Sequence, residues 1–116
     1  WGNWICRADN LNVDLAGPAV AMSRGDLGWQ ITVPDDGSLP MQGGHPTLIN
    51  WDDMDAHPAA KLPKSGCRLT AWQVHHPQAN ALRDLCPMRD ERVSFIPAKT
   101  PSFTARFDTP NGPVVI

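Results

Sequence analysis

The chain has 116 residues, room for one domain with one modest core. Hydrophobic residues at 41% and charged residues at 19% describe a globular protein and exclude a disordered one. A formal net charge of -2 leaves no basic footprint for nucleic acid or an anionic membrane, and no run approaches the roughly 20 apolar residues of a spanning helix.

Residues 3–8 are short and bulky and predict a strand. Asp9 or Asn10 can cap a brief helix over 11–16, which Gly17-Pro18 stops. A second strand is expected over 19–24 and a turn at Arg24-Gly25-Asp26. A third strand follows over 27–33, with Trp29, Ile31 and Val33 on one face and Gln30 and Thr32 on the other. Residues 34–44 hold Asp35-Asp36-Gly37, Pro40 and Gly43-Gly44 and predict a loop. The fourth strand spans 46–51. Residues 52–65 are polar and proline-punctuated and connect two halves.

The pattern then restarts. Residues 68–74 read as a strand, with His75 or His76 placed as a helix cap and Pro77 in the first helical turn. A helix over 78–86 puts Ala79, Leu82, Leu85 and Cys86 on one face, and Pro87 ends it. Strands over 91–96, 102–108 and 113–116 complete the half. Phe103, Ala105 and Phe107 point one way and Thr104, Arg106 and Asp108 the other. Thr109-Pro110-Asn111-Gly112 predicts a hairpin turn in which Asn-Gly accepts positive φ.

Both halves read β-α-β-β-β, a repeat of order and not of letters. The expected fold class is α+β: two βαβββ units forming a curled mixed sheet, with one short helix per unit. Residues 1–116 are expected to form a single domain, with units at 1–54 and 66–116 and a connector at 55–65.

Cys6, Cys67 and Cys86 are odd in number and lack CxxC spacing, against a disulfide framework or a cysteine zinc site. They are expected to be small buried thiols in a reducing compartment. Residues 1–10 lack the basic-then-apolar order of a signal peptide, so a cytoplasmic setting is expected. Trp1 is not an initiator Met, and the chain reads as a processed product or as the ordered part of something longer.

The runs Met22-Ser23-Arg24, Trp29-Gln30-Ile31-Thr32 and Pro46-Thr47-Leu48-Ile49-Asn50-Trp51 resemble the glyoxalase-like domain family of the vicinal oxygen chelate superfamily. So do His57-Pro58-Ala59-Ala60, Gly66-Cys67-Arg68-Leu69, His76-Pro77 and Asp108-Thr109-Pro110-Asn111-Gly112. The resemblance implies paired units whose curled sheets form an open cup for a divalent metal or a small ligand. It also implies a further segment upstream, and activity depending on that segment is not expected of these residues.

Metal-dependent relatives take His or Glu ligands from the first and last strands of each unit. Here the corresponding residues, 3–5, 47–51, 68–72 and 113–116, hold no His, Asp or Glu, and Asn50 is a poor ligand. The histidines at 45, 57, 75 and 76 lie elsewhere, and two adjacent histidines diverge on a strand. The acidic run over 52–57 reads as a solvated loop. No metal and no other cofactor is expected to be held by this chain.

The candidate ligand-binding set is Trp4, Arg7, Arg24, Trp29, Gln30, Asn50 and Trp51. Arginines can hold a carboxylate through bidentate hydrogen bonds, and tryptophans can stack on a flat ligand. The competing reading makes the tryptophans core filling and the arginines surface residues. No nucleophile with a base at recognisable spacing is present, and no catalytic residue is assigned. Three functions stay open. One is a domain that binds a small molecule, acidic or not, in the sheet cup without a metal held by this chain. Another is a metal-dependent lyase or dioxygenase whose site a missing segment or second subunit completes. The third is a structural dimerisation module. A homodimer is compatible with each; nucleic-acid and membrane partners are not expected.

Overall fold

The computed structural model describes residues 2–53, 55 and 57–116. Trp1, and Met54 and Ala56 of the acidic connector run, lie outside the described residues. The chain divides into compact units at Gly2–Pro63 and Lys64–Ile116, a junction inside the expected connector. The class is α+β, with two four-stranded mixed sheets. No helix is long and apolar enough to cross a membrane among the described residues.

The first unit holds β1 (Ile5–Arg7), β2 (Ala19–Arg24), β3 (Leu27–Thr32) and β4 (Thr47–Trp51), in spatial order β1-β4-β3-β2. β1 runs parallel to β4, and the remaining pairs are antiparallel. Alternation buries Cys6, Thr32 and Leu48 on one face. The Thr32 hydroxyl accepts the Leu48 N–H at 2.9 Å, which satisfies a polar group in that core.

The helix expected over 11–16 is only a single 3-10 turn, Asp14–Ala16. Asn10 Oδ1 accepts the Asn12 N–H, and Val13 sits at the cap position without a side-chain cap. Asn12, Val13 and Asp14 are weak helix formers, and six residues cannot repay the cost of nucleation. Gly17, at φ 84, then turns the chain. A Cβ there would sit 2.6 Å from the Pro34 backbone, so the close approach requires glycine.

The second unit holds β5 (Arg68–His76), α1 (Ala79–Leu85), β6 (Val93–Pro97), β7 (Ser102–Thr109) and β8 (Gly112–Val115), in order β6-β5-β7-β8. α1 is the one α-helix among the described residues, so the expectation of a helix in each unit holds only here. Its Ala79, Leu82 and Cys86 are buried, together with Trp72, Val74, Phe95 and Ala105 of the sheet. Arg83 Nη2 donates to the Phe95 carbonyl at 3.1 Å and ties the helix to β6.

Three local expectations are corrected. β5 continues through His75 and His76 because its parallel partner β6 pairs with both. Neither histidine caps α1: His76 Nδ1 accepts the Gln78 N–H at 2.9 Å, and Gln78 occupies the cap position. In the 109–112 turn only Gly112 takes positive φ, at 109°, while Asn111 does not. The Thr109 hydroxyl donates to the Gly112 carbonyl and accepts the Asn111 N–H, closing the turn. Cys6 and Cys86 are buried as expected, but Cys67 is exposed.

Candidate functional site

The register of the first sheet decides which candidate residues can act together. Asp52 N donates to the Gly28 carbonyl at 3.0 Å, so residues 28 and 52 form a hydrogen-bonded antiparallel pair. Trp29 and Trp51 therefore form the adjacent non-hydrogen-bonded pair, in which side chains approach most closely. Their rings lie 5.2 Å apart, tilted by 46°. The His57 ring stands edge-on to Trp51 at 4.9 Å, and its Nδ1 accepts the Ala59 N–H at 3.0 Å.

The same face carries Met22 opposite Trp29, and Ile31 opposite Ile49. Arg24 also belongs to it, opposite Leu27 and one pleat from Met22. Arg7 shares the face through its register with Ile49, but on the other edge strand. The two arginines stand three strand spacings apart, about 14 Å across the sheet, so they cannot clamp one small carboxylate together. Arg7 instead lies 3.8 Å from the exposed Asp9 carboxylate.

Gln30 and Asn50 pair with each other on the opposite face. Together with Asp9, Leu11, Asn12 and Ala19 they line a separate cavity of about 290 Å³. Trp4 is a structural anchor, its indole N–H donating to the Gly44 carbonyl at 3.1 Å. The seven candidates thus divide: Arg24, Trp29 and Trp51 gather, Arg7 shares their face at a distance, Gln30 and Asn50 line the reverse side, and Trp4 holds a loop.

The helix-free face of the second sheet is polar along β5 and β7. Alternation puts Gln73 and His75 of β5 beside Thr104 of β7, all half-buried, while His76 turns to the buried side. The adjacent histidines diverge as strand geometry requires. A strand ending at Val74, as the sequence pattern predicts, leaves His75 off the sheet face, whereas β5 extends to His76. The alternation Trp72, Val74, His76 against Gln73, His75 is the signal that extends it.

Acid groups outside these faces respond to local donors. Asp90 is lowered to about 2 by the Arg92 side chain, whose Nε and Nη2 donate to its two oxygens at 2.9 and 2.6 Å. Asp36 is lowered by hydrogen bonds from Ser38, whose N–H donates at 2.9 Å.

A family model described as a glyoxalase-like domain matches residues 2–87. The chain belongs to the glyoxalase-like domain family. The match spans the whole first unit and runs through β5 and α1, leaving β6, β7, β8 and the 109–112 turn outside it. Membership is consistent with the vicinal oxygen chelate superfamily. No curated protein and no solved structure was found to match.

A divalent metal, which the superfamily implies, does not fit the donors this glyoxalase-like domain presents. The Trp29–Trp51 face carries no Asp, Glu, Cys or His from its strands. Among the described residues no group of three or more His, Cys, Asp and Glu side chains converges. A stable site of this kind needs several such ligands at once.

Proposed function

We propose that this glyoxalase-like domain binds a small acidic molecule with a flat, apolar body on the Trp29–Trp51 face of its first sheet, without a metal held by this chain. The observation that carries the reading is the tilted tryptophan pair with Arg24 on the same face. A ring or conjugated segment gains stacking and apolar contact on the indoles, Met22 and Ile31. The Arg24 guanidinium supplies a forked, permanently charged partner for the carboxylate. The strands contribute no carboxylate, thiol or imidazole to this face, so no proton transfer or nucleophilic step is assigned.

Arg24→Ala is the test. Isothermal titration with small aromatic carboxylates should show affinity falling about tenfold to a hundredfold, the worth of one charge-assisted hydrogen-bonded contact. Arg24 is exposed and outside the core, so the melting temperature of the free protein should stay unchanged. Unchanged affinity, or loss of the fold, would remove the anchor from the site.

A further inference from the structure

The first sheet ends on β2, and all six residues of that strand are exposed. Val33 N donates to the Pro18 carbonyl at 3.0 Å, which sets the phase of the strand. The backbone groups of residues 18, 20, 22 and 24 face β3, and those of Ala19, Ala21 and Ser23 face away. β3 is the one strand bonded to β2, so the outward row of three N–H and three C=O groups has no strand partner in the chain among the described residues.

Exposed edges of this kind ordinarily carry a defence: a proline, a lysine, a bulge or a short length. β1 is three residues long, β6 ends on Pro97, and β8 contains Pro113. β2 reads Ala-Val-Ala-Met-Ser before Arg24, and its register with β3 is unbroken over all six residues. It is the undefended edge.

We propose that β2 pairs antiparallel with β2 of a second copy of this chain, about a two-fold axis through Ala21. The phase of the strand selects both occupant and register. Centred on Ala21, each Ala21 exchanges hydrogen bonds with its counterpart and each Ala19 with the other copy's Ser23, so every outward group is satisfied by the identical row. Centred on Met22, Ala19 would fall opposite the turn at Gly25. Registers displaced by one residue would set outward groups against inward ones.

The side chains agree with this register. Val20 of each copy stands across from Met22 of the other, and these are 39% and 42% exposed in the single chain. Arg24 falls opposite Pro18 of the second copy. Pro18 lines a depression of about 590 Å³ together with Asp14, Asp35 and Asp36, so the strand's one cation meets an acidic rim. The two-fold axis is perpendicular to the sheet and leaves both Trp29–Trp51 faces on one side. Met22 and Arg24, which the ligand reading also uses, lie on this edge, so association is read in the absence of ligand.

Sedimentation of the full chain over a concentration series tests it. The expected mass rises to twice the 12.7 kDa of the monomer. Ala21→Pro should weaken association about tenfold or more, because the two-fold removes two hydrogen bonds at once. The Ala21 N–H is not used within the sheet, so the variant should keep its circular dichroism spectrum. Val20→Lys should also weaken the dimer, and adding Met22→Glu should restore it, since positions 20 and 22 face each other across the axis. If Ala21→Pro unfolds, the charge pair alone decides. A monomer at every concentration, a dimer indifferent to a folded Ala21→Pro, or a double variant that associates no better than Val20→Lys would overturn the proposal.

Discussion

Leu82 and Leu85 sit three positions apart on α1 and meet different surroundings, Leu82 fully buried and Leu85 46% exposed. At about 100° per residue, Ala79, Leu82 and Cys86 fall within an arc of about 60°, and Leu85 lies about 60° beyond it. Leu82→Ala should cost about 2–5 kcal/mol, whereas Leu85→Ala should stay within about 0.5 kcal/mol, both read by urea denaturation. Equal losses would mean that the helix is rotated from this placement. Periodicity thus made most of the buried stripe legible, but not its width, which depends on how little sheet one short helix covers. The candidate site followed the same logic. Trp29 and Gln30 were separable from alternation alone, while the role of Trp4 was hidden because its acceptor, Gly44, comes from a loop forty residues away.

Strands were more legible than helices in this chain. The bounds of β2, Ala19–Arg24, are legible because Gly17-Pro18 and Gly25 mark its ends in the sequence. The expected first helix failed because a cap residue and an apolar spacing do not overcome weak propensity over six residues. The local pattern ends β5 too early because its last residues are held by β6, a pairing that pattern does not reveal. The turn leading into β6 carries a pH-dependent element. Asp90 is lowered from 3.8 to about 2 by Arg92, so the folded state favours the ionised form. Its stabilising contribution is fully present above the unfolded value near 3.8 and is lost as pH falls through about 2. The effect should be small, because water screens the pair. Asp90→Asn should remove this part of the acid dependence in thermal melts between pH 5 and pH 2, conditions spanning both values. A variant with the same acid profile as the parent protein would contradict the assignment.

At the scale of the molecule, the two units repeat their strands along the chain but not in space, β1-β4-β3-β2 against β6-β5-β7-β8, and their sheet faces differ in chemistry. The first offers indoles, aliphatic side chains and an arginine; the second offers Gln73, His75 and Thr104. The repeated order was readable because turns punctuate each strand, and family membership followed from motifs spread along most of the chain. The chemistry was less readable, since the strand positions that hold metal ligands in metal-dependent relatives carry other residues. The claim that the Trp29–Trp51 face is the binding surface is tested most directly by nitrogen-resolved nuclear magnetic resonance. Each tryptophan indole gives its own N–H signal, so titration with a small aromatic carboxylate reads the surface residue by residue. The indole signals of Trp29 and Trp51 should move together and saturate, while those of Trp4, bonded to Gly44, and Trp72, stacked on Phe103, stay in place. Movement confined to Trp72 or to the Gln30 and Asn50 amides would place the ligand elsewhere and contradict the account.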